Sequence, residues 1–169
     1  MNKQKLRQWV KEERKKLDFE ALSLKLVDKL KQSDEYINAK NVMIFYPLKY
    51  EINLLPLLED KSKNFYLPKI SGENLLCCPY CIGDELSISC FKTKEPVVNE
   101  VDKTILDLVI VPALAVDNNN YRLGYGGGYY DRFLKGLNCS KVVCISKNFV
   151  VETIFPEDYD IKFDKIIVA

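Results

Sequence analysis

Apolar residues in the first thirty positions recur at helical spacing. Leu6, Val10 and Leu17 share one face of a first segment, and Leu22, Leu26 and Leu30 repeat after Asp18 at i, i+4. The spacing predicts two amphipathic helices, the second with Asp18 as its N-cap. The period then changes. Val42-Met43-Ile44-Phe45-Tyr46 and Phe65-Tyr66-Leu67 are short continuous apolar runs, closed by Pro47 and Pro68, and they predict strands buried on both faces. Between them, Glu51 to Leu58 has room for a helix that Pro56 keeps short or irregular. The stretch from Leu75 to Phe91 alternates weakly and predicts one or two strands joined near Gly83-Asp84. Leu108-Val109-Ile110-Val111, stopped by Pro112, is a sharper strand signal, and Val142-Val143-Cys144-Ile145 and Ile166-Ile167-Val168 repeat it. Strands alternating with helical segments predict an α/β fold, a three-layer arrangement with a mostly parallel sheet flanked by helices. No repeat, low-complexity tract or linker interrupts the 169 residues, so residues 1–169 are expected to form a single domain.

Composition narrows the chemistry. The chain has no histidine, which removes Ser-His-Asp triads, Cys-His dyads and His-ligated metal or haem sites. Any catalysis must use carboxylates, Lys, Arg, Tyr, Cys, backbone amides or a bound cofactor. Lys and Arg number 25 against 24 Asp and Glu, so no overall basic field argues for nucleic acid, and a small molecule is the expected partner. No apolar run approaches the ~18 residues of a membrane span, and the N-terminus lacks an apolar signal core. A cytoplasmic protein away from membranes is expected. The six cysteines are then expected to be reduced. Cys78-x-x-Cys81 with Cys90 nearby lacks a fourth metal ligand at regular spacing, so these thiols read as small hydrophobes in strands.

Four of the seven glycines fall within five positions, Gly124, Gly126, Gly127 and Gly128, in Arg122-Leu123-Gly124-Tyr125-Gly126-Gly127-Gly128-Tyr129-Tyr130-Asp131-Arg132-Phe133-Leu134. Clustered glycine costs conformational entropy and implies a sharp bend or a close backbone approach. The cluster lies between a strand and a helical pattern, Tyr130, Phe133, Leu134 and Leu137. A glycine-rich loop there offers amide N–H groups to phosphate, and Arg122 adds a charged donor. Neither familiar nucleotide fingerprint fits, because the glycines lead into Tyr129-Tyr130 rather than Lys-Ser/Thr or a further glycine. A purely structural turn therefore stays open at this point. Asp131, in the first helical turn, suits either magnesium beside a phosphate or simple helix capping.

The run Asp107-Leu108-Val109-Ile110-Val111-Pro112-Ala113-Leu114-Ala115-Val116-Asp117, followed by Arg122 to Phe133, closely resembles the signature of the 5-formyltetrahydrofolate cyclo-ligases. The resemblance takes in Lys3-Gln4-Lys5-Leu6-Arg7 with Arg14 and Leu17, then Glu51-Ile52, Leu67-Pro68-Lys69 and Glu95-Pro96, and so runs along nearly the whole chain. It implies ATP- and Mg²⁺-dependent closure of 5-formyltetrahydrofolate to 5,10-methenyltetrahydrofolate through a phosphorylated formyl group. Carried over by position, Lys3, Gln4, Lys5, Leu6 and Arg7 would contact ATP, as would Arg122, Leu123, Gly124, Tyr125, Gly126, Gly127, Gly128, Tyr129 and Tyr130. Lys3 and Arg122 would act catalytically, and Asp131 and Asp160 would bind magnesium. Glu51 would meet the polar edge of the pterin, with Tyr46 and Phe91 against its flat face. Val116 stands where the family usually has phenylalanine, and Asn118-Asn119-Asn120 replaces a turn that usually contains glycine. A monomer or weak dimer is expected. The alternative is a family member that binds folate or nucleotide with lost or altered turnover.

Overall fold

A computed structural model describes residues 1–169. Helix α1 spans Lys3–Arg14 and α2 spans Phe19–Lys31, with the Asp18 carboxylate accepting from Ala21 N as a cap. α1 stops at Arg14, so Leu17 packs from the connecting turn rather than from the helix. A five-residue α3 (Asp34–Asn38) follows, then strand β1 (Asn41–Met43). The segment around Pro56 is a short 3-10 turn, Leu55–Glu59. Strands β2 (Asn64–Ser71) and β3 (Asn74–Pro79) form a hairpin, and β4 (Leu86–Ile88) with β5 (Lys94–Pro96) forms a second one. Next come β6 (Leu108–Ile110), β7 (Ala115–Asp117), β8 (Arg122–Leu123) and α4 (Tyr129–Leu134). The chain closes with β9 (Ser140–Ile145), β10 (Val150–Val151) and β11 (Lys165–Val168).

The main sheet has the order β11-β9-β6-β1-β2-β3. Every pairing is parallel except β2 with β3. Alternate residues of its central strands face opposite layers. Met43, Tyr66, Val109 and Val143 join a core under α1 and α4, while Val42, Phe65, Leu108 and Val142 join one under α2 and α3. Both faces are therefore covered, which is why these strands read as unbroken apolar runs.

Two expectations need correction. Pro68 does not close its strand; β2 continues to Ser71. Tyr80 N donates to Phe65 O, so residues 65 and 67 face β3 and Pro68 faces the other edge. There β1 has already ended, with Met43 opposite Tyr66, and the missing N–H leaves no ladder bond unmade. The second concerns the thiols. Cys77, Cys78 and Cys144 are buried in strands, where burial pushes Cys77 and Cys144 up to about 12, but Cys81 and Cys90 are exposed in loops.

A small three-stranded sheet, β10-β7-β8, carries the chain from the end of β6 to the glycine cluster. Its tight turn works without glycine because Asn120 takes the left-handed conformation, φ 66°. Buried Asp117 organises it: Oδ1 accepts from Asn119 N at 3.0 Å and Tyr121 N at 3.1 Å, and Oδ2 from Ile154 N at 3.1 Å. Replacing Asp117 by Ala orphans those three donors. The variant is expected to lose about 2–3 kcal/mol of stability, read as a lower denaturant midpoint with an unchanged slope.

Candidate active site

The strand order reverses between β1 and β6: the chain runs outward to β2 and β3, then returns to the opposite side of β1 for β6, β9 and β11. Segments leaving the carboxyl ends of two such neighbours diverge and open a crevice, the usual ligand position in open α/β sheets. Here the crevice is a cleft of about 440 Å³. Phe45, Tyr46 and Leu48, following β1, form one wall, and Pro112, following β6, lies at its base.

The glycine cluster builds the far wall. A Cβ on Gly124 would sit 2.8 Å from Arg122 Nη1, so a side chain there would push the guanidinium off its bond to Pro112 O. Gly126 has φ +113°, a conformation that side chains avoid. The loop is tied down at several points. Arg7 Nε donates to Gly124 O at 2.8 Å, Arg132 Nη1 to Gly127 O at 2.9 Å, and the Tyr129 hydroxyl to Gly72 O at 3.1 Å in the β2–β3 turn. α4 has only six residues and Gly128, its N-cap, offers no side-chain cap, so the anion-binding capacity lies in the loop amides and neighbouring cations.

Arg122 is buried beneath this loop. Its Nη1 donates to Pro112 O at 3.0 Å, Nη2 lies 3.8 Å from Asp131 Oδ1, and Nε has no partner. Burial disfavours its charge, while Asp131, Tyr130 and Asp160 support it. Asp131 Oδ1 accepts from Ile161 N, which sets it beside Asp160. Asp160 Oδ2 accepts from Lys3 Nζ at 2.6 Å and from Glu157 N at 2.7 Å. Each carboxylate keeps one oxygen, Asp131 Oδ2 and Asp160 Oδ1, without a protein hydrogen bond. No group of three metal-binding side chains exists, so an all-protein cage is absent. Two carboxylates that each keep a free oxygen nevertheless suit Mg²⁺, which keeps several waters and needs few protein ligands.

At the other end Glu51 is buried and held from both sides. Oε1 accepts from Leu48 N at 2.8 Å and Oε2 from the Tyr125 hydroxyl at 3.0 Å. Burial raises its pKa above the ordinary carboxylate value, opposed by those two bonds and by the charge of Arg14. Tyr125 as a whole residue is 43% exposed, but its hydroxyl bonds inward to Glu51 and Arg14, where burial and then Glu51 push its pKa up. Phe91, at the tip of the β4–β5 hairpin, meets Tyr129 edge-on at 6.0 Å. Lys94 Nζ lies 5.3 Å from the centre of the Tyr46 ring.

The cleft brings together Lys3, Arg7, Tyr46, Glu51, Phe91, Asp131, Asp160 and the whole stretch from Arg122 to Tyr130. It does not include Gln4, Lys5 or Leu6. Gln4 and Lys5 are exposed on α1, and Leu6 is buried in the core beneath it, because successive helix positions point 100° apart. Sequence reasoning gave no site role to Arg14. This side chain is 5% exposed; its Nη1 donates to Tyr50 O at 3.1 Å and to the Tyr125 hydroxyl at 3.2 Å, and its Nη2 donates to Ala113 O. The available signal was an arginine at i+4 from the buried Val10, on the apolar face of its helix.

Comparison with known proteins shows which family the fold and sequence resemble. The 5-formyltetrahydrofolate cyclo-ligase family model matches residues 1–169. The 5-formyltetrahydrofolate cyclo-ligase of Escherichia coli is 31% identical over 143 residues, 78% of this chain and 79% of that protein. The NMR structure of Aquifex aeolicus 5,10-methenyltetrahydrofolate synthetase superposes with a TM-score of 0.88 at 33% identity, covering 99% of this chain and 90% of that one. The Mycoplasma pneumoniae synthetase, at 22% identity, shares the fold with a TM-score of 0.75 over 99% of this chain and 98% of its own. A family model that matches the whole sequence, a relative at 31% identity and a shared fold at 33% identity together make this chain a member of the 5-formyltetrahydrofolate cyclo-ligase family.

Proposed function

We propose that the cleft converts 5-formyltetrahydrofolate and Mg·ATP to 5,10-methenyltetrahydrofolate, ADP and phosphate. The observation that carries this reading is the meeting of two unlike ends in one cleft. One end has cations, glycine-loop amides and two carboxylates; the other has aromatic rings and a buried carboxylate. In the reaction the formyl oxygen takes the terminal phosphoryl group of ATP and ADP leaves. N10 then attacks the activated carbon and loses its proton, and the oxygen departs with phosphate. A formyl oxygen is a poor nucleophile, so positioning and charge neutralisation supply most of the rate.

The residues divide accordingly. The loop amides and Arg7 cradle the phosphates, and the guanidinium of Arg122, buried beneath the loop, adds positive charge there. Asp131 and Asp160 are the residues that would hold Mg²⁺, which would supply neutralisation of phosphate charge. Lys3, which pairs with Asp160 at 2.6 Å, would turn to a phosphate oxygen. Tyr46 and Phe91 flank the flat heterocycle, and Glu51 accepts from its ring N–H donors through the lone pairs that Leu48 and Tyr125 leave free. No step needs the histidine that the chain lacks.

The test mixes purified protein with 5-formyltetrahydrofolate and Mg·ATP and follows methenyl absorbance together with ADP. Both should appear in equal amounts; tight folate binding without ADP release would replace this reading with a binding role. Arg122→Ala and Asp131→Asn should each lower kcat/KM about 10²–10³-fold while melting as cooperatively as the parent. Unchanged kinetics in both would remove the phosphate and metal roles.

A further inference from the structure

We propose that Arg14 and Tyr125 are positioning residues for Glu51: the Tyr125 hydroxyl, oriented by the Arg14 guanidinium, holds Glu51 as an ionised acceptor at the folate end of the cleft. The ligand named here rests on the folate reading above; the relay itself rests on geometry.

Hydrogen-bond direction is forced. Arginine carries donors only and stays protonated, so the Tyr125 oxygen must accept from Arg14 Nη1 at 3.2 Å. A hydroxyl has a single proton, and the other polar neighbour within reach is Glu51 Oε2 at 3.0 Å. Tyr125 therefore donates to Glu51, and that bond exists in full only with a carboxylate. Leu48 N fixes the second oxygen at 2.8 Å, leaving the carboxylate little freedom to rotate. Arg14 in turn cannot swing away. Nη1 also holds Tyr50 O, Nη2 holds Ala113 O, and its guanidinium carbon lies 5.7 Å from the Phe149 ring centre and 5.9 Å from that of Phe19. An arginine on α1 thus fixes a carboxylate after β1 through a tyrosine of the glycine loop.

The relay matters because Glu51 is buried, and burial favours its neutral form. The groups facing it are Arg14 from α1, Tyr125 from the loop and Tyr130 from α4. The positive charge and the Tyr125 hydroxyl oppose protonation. A protonated Glu51 would turn one oxygen from acceptor into donor and face the N–H groups of a ring it should bind. Folate affinity must therefore fall as pH drops through the Glu51 midpoint, and loss of the Tyr125 hydroxyl must start that fall at higher pH.

Tyr125→Phe deletes one oxygen and keeps the ring on which Lys11 rests, 5.9 Å from its centre. Two measurements on the full chain separate the outcomes: a ¹³C NMR titration of the glutamate carboxyls in ligand-free protein, with Glu51→Gln assigning the signal, and nucleotide-free binding of 5-formyltetrahydrofolate between about pH 5 and 8. The Glu51 midpoint is expected to move up, and folate to bind about tenfold more weakly on the acid side with the loss shrinking as pH rises. An unmoved midpoint overturns the proposal, and so does a moved midpoint with unchanged affinity at every pH. If the parent protein binds no folate, the functional reading falls, while the titration, which needs no ligand, still decides whether Tyr125 holds Glu51.

Discussion

One buried positive charge organises the cleft. Arg14 sits where α1 crosses the carboxyl ends of β1 and β6, and it bonds to the turn after β1 at Tyr50, the segment after β6 at Ala113, and the glycine loop at Tyr125. Other bonds tie these pieces in pairs, β7 to β8 and Tyr125 to Glu51, whereas Arg14 reaches all three at once. Burying a guanidinium is costly unless its donors are met; here two carbonyls and the Tyr125 hydroxyl meet Nη1 and Nη2 between flanking aromatic faces, while Nε is left without a partner. The same group that costs desolvation therefore selects a single geometry for the walls of the site.

The sheet supplies the rest of the frame. A parallel strand order that reverses between β1 and β6 makes the following segments diverge, and apolar packing on both faces keeps those strand ends rigid. Onto this frame the β2–β3 turn and the glycine loop are laced by Arg132 and Tyr129, which donate to carbonyls of Glu73 and Gly72. The flexible backbone of the loop is thus bounded on each side by side chains rooted in regular structure. A glycine-rich segment can hold a definite shape when its partners are rigid.

Much of the frame was legible in the sequence. The runs at Leu108, Val142 and Ile166 announced buried parallel strands because burial on both faces demands unbroken β-branched residues. Asp18 announced a helix start because local capping chemistry needs only neighbours in sequence. The glycine cluster likewise marked its own loop. Pro68 misled, because whether a proline ends a strand depends on which edge its nitrogen faces and on where the adjacent strand stops. The link between Lys3 and Asp160 spans 157 positions, and no local pattern encodes it. Arg14 was visible as a basic residue on an apolar helix face, but what it would bind depended on turns that only the assembled sheet brings near. Resemblance supplied Gln4, Lys5 and Leu6 as a contiguous block, whereas a helix offers a cleft one residue in three or four, here Lys3 and Arg7.

The pairing of Lys3 with Asp160 has an effect on ligand choice. In the free protein each is the other's counter-ion, at 2.6 Å and largely shielded from water. An anion that captures Lys3 alone leaves Asp160 with only the Glu157 amide, and a cation that captures Asp160 alone leaves Lys3 with the half-exposed Glu157 carboxylate at 3.5 Å; each exchange gives up a shielded counter-ion. A ligand that carries both signs meets neither penalty, because the two partners are exchanged in one event. On the proposed reading, the ion pair thus favours a ligand by its composition as well as by its shape, weighting the cleft toward one that arrives already neutralised.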